Sequence, residues 1–317
     1  MNRTADGEAP PMNEAPADTT IRTGNPILPG IGLCDPHVRI FDGRAWLYAT
    51  HDRSAENQHF RMDDWWIWSS GNLRDWRHEC TLRPEQTYWG RPCESCWAVD
   101  AMARDGRYFL YFSRGPREIG VVTAPAPGGP WRDPLGKPLI AEGDYPTQAR
   151  DPGLLMDDDG EAYLVFGTWD FFVARLNEDM ISLAEPARPV ELDHREGPYG
   201  PGKTDDKPCL HKRDGRYYLS WGCFYAVSES VYGPYRYRGS IITEENTDPV
   251  FRKGLLMDRH GSFFDFRGRS YFIGNDQSFP GSHMHFRNSV IAEVRYLPGG
   301  DIAPLALTVE GAPVSAA

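Results

Sequence analysis

The chain has 317 residues, 40% hydrophobic and 25% charged, which is enough apolar material for a sizeable core and excludes a low-complexity, collagen-like or wholly disordered chain. Its 34 basic against 45 acidic residues give a net charge of −11, which argues against a nucleic-acid partner. No stretch approaches the ~20 continuous apolar residues that span a bilayer, so no membrane partner is expected.

Residues 1–24 are rich in Ala, Pro, Asp, Glu and Thr, with no apolar run after a basic start. They read as a disordered lead-in, not a signal peptide. From there the chain repeats itself. Phe41-Asp-Gly-Arg-Ala-Trp-Leu-Tyr48 is followed by Arg104-Asp-Gly-Arg-Tyr-Phe-Leu-Tyr111 and Asp158-Asp-Gly-Glu-Ala-Tyr-Leu-Val165. Arg213-Asp-Gly-Arg-Tyr-Tyr-Leu-Ser220 and a weaker copy, Phe266-Arg-Gly-Arg-Ser-Tyr-Phe-Ile273, complete the series. The turn glycines Gly43, Gly106, Gly160, Gly215 and Gly268 are spaced by 63, 54, 55 and 53 residues. Asp-Gly between apolar runs signals a type I′ hairpin, because both central residues need positive φ. Gly, Pro and aromatics are abundant and helical periodicity is nearly absent. Five units of three to four strands at a near-constant period predict an all-β, five-bladed β-propeller over residues 25–310, with a short tail at 311–317.

Within this frame the polar residues fall into register. Asp35, Asp151, Asp206 and His260 each lie eight or nine positions before a turn glycine, and Asp100 lies six before the second. Equivalent repeat positions should converge on the propeller axis. A lone Asp-Pro usually only starts a turn. Three acids at matching positions instead form a set whose mutual repulsion raises at least one pKa, so one carboxyl keeps a proton while another is ionised. That is the equipment of a glycosidase.

The ordered series Asp35-Pro-His37, Cys96-Trp-Ala-Val-Asp100, Arg150-Asp-Pro-Gly153, Lys207-Pro208 and His260-Gly-Ser-Phe-Phe264 resembles glycoside hydrolase family 43, from about residue 25 to 305. The segment from Gly120 to Ile140 is similar to that family as well. The resemblance implies a five-bladed propeller that hydrolyses terminal arabinofuranosides or xylosides with inversion, its partner being an oligosaccharide or glycoside substrate. It implies Asp35 as the base that activates water and Asp151 as the carboxylate that orients the acid and raises its pKa. The family's acid is a Glu in a Glu-x-Pro context; here that place reads Asp206-Lys-Pro208, a departure that keeps a catalytically impaired, sugar-binding propeller as the alternative. His260 resembles an axial His that supports a metal, and the resemblance implies one calcium ion at the axis and no organic cofactor. Arg287 resembles a late-blade Arg that contacts substrate.

Other residues carry two readings each. Trp97 could stack on a sugar ring or pack between blades, and His51, before Asp52, could meet a sugar hydroxyl or join a loop ion pair. The run Asp63-Asp-Trp-Trp-Ile-Trp68 reads as strand packing, and Asp157-Asp-Asp159 as a solvated turn, since it lacks the later Glu of a calcium loop. Cys93 and Cys96 form a Cys-x2-Cys pair without the second pair that zinc would want, which favours plain thiols over a metal or redox role. Six cysteines in so long a chain make no disulfide framework, and the expected location is cytoplasmic.

Overall fold

The computed structural model describes residues 21–312 other than residue 23. Most of the expected lead-in (1–24) and of the expected tail (311–317) lies outside the described residues. The described part of the lead-in is ordered into the sheet, with Ile21–Arg22 pairing antiparallel with Trp76 and Asp75.

Each repeat folds as an antiparallel hairpin that grows outward into a small sheet, giving five sheets in all. From the axis outward, blade I is Leu33–Phe41, Arg44–Asp52, Met62–Ser70 and Asp75–Leu82, with Ile21–Arg22 outermost. Blade II is Cys96–Arg104, Arg107–Arg114, Glu118–Ala124 and Ile140–Ala141. Blade III is Gly153–Met156, Ala162–Thr168, Asp170–Arg175 and Arg188–Pro189, and blade IV is Pro208–Arg213, Arg216–Trp221, Phe224–Ser228 and Arg236–Ser240. Blade V has only Gly261–Phe266, Arg269–Asp276 and Asn288–Val294. The fold is the expected five-bladed β-propeller. Among the described residues no helix is long and apolar enough to cross a membrane.

In four repeats the hairpin is the predicted two-residue turn. Asp42 and Gly43 have φ of 51° and 72°, and the pairs at 105–106, 214–215 and 267–268 match them. Blade III differs. Met156 pairs with Ala162, so the turn takes in residues 157–161, and only Gly160 among them has positive φ. The extra residues free Asp157 to accept from Tyr217 at 2.5 Å and to meet the Lys212 ammonium, a bridge to blade IV.

Aromatic packing fills the space between blades. Trp65 and Trp68 of the third strand of blade I, with Trp76 and Trp221, are among the largest fully buried side chains, so the tryptophan run is packing, as read. The ring closes where blade V lacks a fourth strand. Ile27 bridges Ser289, and buried Asn25 donates to the Ile291 carbonyl (2.8 Å) and accepts from the Ile291 N–H (2.8 Å). A segment that precedes blade I thus completes blade V.

Candidate active site

The first strands of the blades carry the site at one end of the axis. Asp35, Asp151, Lys207 and Asp258 stand at or just before those strands with φ of 47°, 58°, 50° and 51°. A non-glycine residue in this left-handed region is uncommon and worth a functional question. At Asp35 the ladder to the second strand is interrupted between Cys34 and His37, so its N–H turns to the Asn275 side chain (2.7 Å). Likewise the Asp151 N–H donates to Ser113 Oγ (2.8 Å). Each kink takes a backbone donor out of the sheet and turns an acid inward.

They meet in a cleft of about 260 Å³. Asp35, Asp151, Asp206, Asp258, His260, Arg150 and Arg287 supply its polar lining, and Trp97, Phe60, Met62, Tyr199, Met257 and Met284 the rest. Its centre is the His260 ring. Nδ1 lies 3.2 Å from Asp35 Oδ1, while Nε2 meets Asp206 Oδ1 and stands 3.4 Å from Asp205 and 3.5 Å from Asp258. Asp35 and Asp206 thus face each other across the width of one imidazole.

Charge is distributed unevenly over these acids. Burial alone would push the Asp35 carboxyl up, but Arg287 (3.0 Å), His260 and the Lys207 charge hold it well below the usual carboxylate range, and the Asn275 amide donates to it at 2.8 Å. The same contest at Asp206 is won by His260 and by Arg150, whose Nη2 donates at 2.6 Å, and this carboxyl is also held low. At Asp151 burial wins against Arg150 and the pKa rises to about 6; at Asp258 burial wins against Arg287 and it rises to about 7. Burial also opposes charge on His260, yet Asp206 and Asp258 raise its pKa well above the usual value. The free site therefore pairs ionised Asp35 and Asp206 with an imidazolium, and beside them Asp151 and Asp258 keep their protons up to about pH 6 and pH 7.

Of the residues named from sequence, Asp35, Asp151, Asp206, Trp97, Arg287 and His260 line the cleft. Trp97 lines the cleft with the Arg150 guanidinium 5.2 Å from its ring centroid, and its carbonyl accepts from Trp65 Nε1 (2.7 Å) of blade I, which ties the two blades together. His51 is corrected. It is not among the cleft-lining residues; its ring stacks on Trp66 at 3.8 Å and Nδ1 meets Asp64 at 2.9 Å. The functional neighbour is Asp52, which clamps Arg287 with both oxygens (3.0 Å each). Asp100 is corrected too. Two residues further along its strand than the register wants, it lies about 6–7 Å deeper. There it is fully buried, held by Arg39 (2.9 and 2.6 Å), His37 (3.1 Å) and the Leu154 N–H (2.6 Å). Arg150, Asn275, Asp52 and Asp258 were missed; of these, only Arg150 carried a signal, as the neighbour of Asp151 within a motif.

Among the described residues two groups of side chains could hold a metal ion: Asp35, Asp258 and His260, and Asp205, Asp206 and His260, the ligand atoms of each lying within 4.8 Å of one another. Buried Asp205 Oδ2 has no hydrogen-bond partner. A carboxylate-rich donor set with a spare buried oxygen fits a hard divalent cation.

A propeller whose axis opens into a cleft of opposed carboxyls, arginines and one aromatic wall is a glycosidase by its chemistry. The chain belongs to the glycosyl hydrolases family 43, whose family model matches residues 23–296. It is 29% identical to a xylosidase/arabinosidase of Bacteroides ovatus, over 90% of this chain and 97% of that one. It is 30% identical to a beta-D-galactofuranosidase of Aspergillus niger, over 95% and 91%. The GH43_1 enzyme from Xanthomonas citri complexed with xylose superposes with a TM-score of 0.72 at 28% identity, over 90% of this chain and 92% of that one. A beta-xylosidase/alpha-arabinofuranosidase from a compost metagenome, solved with xylotriose in a calcium-free form, gives 0.72 at 25% identity, over 90% and 97%.

Proposed function

We propose that this glycosidase removes terminal pentosyl or furanosyl residues from oligosaccharides or glycosides, with inversion. The observation that carries the reading is the opposition of Asp35 and Asp206 across one imidazole ring in a small cleft. A gap of that width is of the order an inverting pair needs, about 6.5–9.5 Å, to admit a water beside the sugar. The cleft, at about 260 Å³, falls below the ~300–1,000 Å³ typical of larger ligands, which suits one terminal ring better than a threaded chain. Relatives named for xylose, arabinose and galactofuranose support this sugar class.

Asp35, ionised and fixed by three donors, takes the proton from water as it attacks the anomeric carbon. The leaving oxygen receives its proton from the Asp151–Asp206 side. Below about pH 6 the free enzyme keeps that proton on Asp151, while His260 and Arg150 hold Asp206 ionised. A sugar that enters between Asp35 and Asp206 displaces the imidazolium from Asp206 and removes one of the two charges that keep it deprotonated. Asp206 then takes the proton that Asp151 gives up and passes it to the leaving oxygen. Arg287, anchored by Asp52, keeps Asp35 charged and aimed.

The same reading assigns a calcium ion to Asp205 and His260. If bound, the ion would supply positive charge to the neighbouring acids, and because a ligating imidazole must be neutral, it would take the place of the imidazolium. The test is a panel of nitrophenyl xylosides, arabinofuranosides and galactofuranosides, with and without chelator, read by anomer-resolved NMR. Turnover with inversion on one of these sugars is expected. Binding without turnover on all of them, or retention, would overturn the proposal.

A further inference from the structure

Away from the cleft floor, two cysteines stand in contact. All six cysteines are free thiols, and Cys93 Sγ lies 3.5 Å from Cys96 Sγ. The spacing is fixed by the fold. Between the two, the Glu94 carbonyl accepts from the Met62 N–H (3.0 Å) and the Ser95 carbonyl from the Gly115 N–H (2.8 Å). The segment is thus pinned to blade I on one side and to the second strand of its own blade on the other. Trp97, the next residue, is a wall of the cleft.

The two thiols differ as a reactive pair should. Cys96 is fully buried at the start of its strand, and burial pushes its thiol well up. Cys93 is half-buried and lines a separate cavity of about 340 Å³ whose three arginines, among them Arg53 and Arg61, are offset by acids such as Asp63 and Glu94. The hydrogen bond from Cys96 brings the Cys93 thiol down to about 7, against burial. A partly exposed thiol in contact with a buried second thiol is the arrangement of an attacking and a resolving cysteine. A metal reading is weaker: among the described residues neither cysteine belongs to a group of three or more metal-ligating side chains, and zinc wants four ligands.

We infer that Cys93 and Cys96 are a thiol-modification site, closing to a reversible disulfide next to the cleft residue Trp97 when the enzyme meets a small disulfide such as oxidised glutathione. The Cys93 thiolate attacks one glutathione sulfur, forming a mixed disulfide and expelling a glutathione thiolate. The Cys96 thiol, losing its proton, then attacks the Cys93 sulfur and expels the second glutathione. Two protein thiols are oxidised and one glutathione disulfide is reduced to two thiols. The sulfurs need only close from 3.5 Å to the ~2.05 Å of a bond.

The native enzyme should be equilibrated with oxidised glutathione, alkylated, and mapped by mass spectrometry. Cys93 and Cys96 are expected to lose their alkylation together, in one cross-linked peptide, and to recover it with dithiothreitol. Cys96→Ser should instead retain a glutathione on Cys93, and Cys93→Ser should give neither product. If Cys96→Ser does not fold, the wild-type map decides alone. Both thiols still alkylatable in excess oxidised glutathione, a cross-link to a different cysteine, or one equivalent of zinc held by the pair in the purified enzyme would each overturn the inference.

Discussion

Replacing Asp151 by Asn separates what this carboxyl does for catalysis from what it costs the fold. In the folded enzyme its pKa is raised from 3.8 to about 6, chiefly by burial. Between those two values the folded state still binds a proton that the unfolded chain has released. Stability therefore falls as pH rises through that window and is level above it. At ~1.4 kcal/mol per pKa unit, the ionised side chain costs the folded enzyme about 3 kcal/mol at neutral pH. Asn is close in size, keeps an oxygen to accept the Lys207 N–H now bonded to Asp151 at 3.1 Å, and never ionises. Asp151→Asn should therefore be more stable than the wild type at pH 7.5 by up to about 3 kcal/mol, and equal to it near pH 4. The same change should lower kcat by about 10²–10⁴-fold, since the proton for the leaving group is gone. It should also remove the alkaline limb that the wild-type kcat/KM shows near pH 6. Urea unfolding at the two pH values, beside a pH–rate profile on a nitrophenyl glycoside, measures all three. A stability difference independent of pH would refute the burial account of Asp151, and an alkaline limb unmoved in the variant would remove it from the proton path.

Asp35→Asn should leave folding and sugar binding intact but cut kcat by several orders of magnitude, because an amide cannot take the proton of water; near wild-type turnover would exclude Asp35 as the base. Asp206→Ala should hurt poor leaving groups far more than activated nitrophenyl glycosides. Asp206→Glu, a misplacement of about 1 Å, should cost about a hundredfold if the site is built for the shorter chain, and a gain in rate would show that it is not. Asn25→Ala strands the Ile291 N–H and C=O inside the protein, which should lower stability by about 2–4 kcal/mol in a denaturant titration; an unchanged midpoint would deny the closure described at blade V.

The fold was legible because its signal is local and repeated. A Gly43-type turn demands positive φ, and five copies at one period leave little choice of architecture. Blade III is the instructive exception: Asp159-Gly160 looks like its counterparts, yet the turn runs from Asp157 to Glu161, because Asp157 is drawn to Lys212 and Tyr217 of the next blade. The site was legible only in part. Asp35, Asp151, Asp206 and His260 announce themselves by register. Asp258 does not, because blade V reaches the axis by a longer approach, and counting back from Gly268 lands on His260 first. Asp52 and Asn275 act through Arg287 and Asp35, in contacts more than 200 residues apart along the chain, for which no local pattern exists. The choice of His51 over Asp52 failed by one residue, and in a strand one residue is the opposite face.

The join between blades I and V has a further bearing on how this enzyme fails. Asp35 belongs to blade I, whereas Asn275, Arg287 and His260, the three groups that fix its carboxylate, all come from or lead into blade V. Beyond the apolar core that blades I and V share, the seam is closed by Asn25 and Ile27 rather than by a continuous four-stranded sheet. Separation of the two blades at the seam pulls the base away from its charge partners while the hairpins of every blade are still intact. On warming, inactivation should therefore run ahead of loss of the β-sheet signal, and the enzyme's working temperature is set by one closure, not by the strength of its blades.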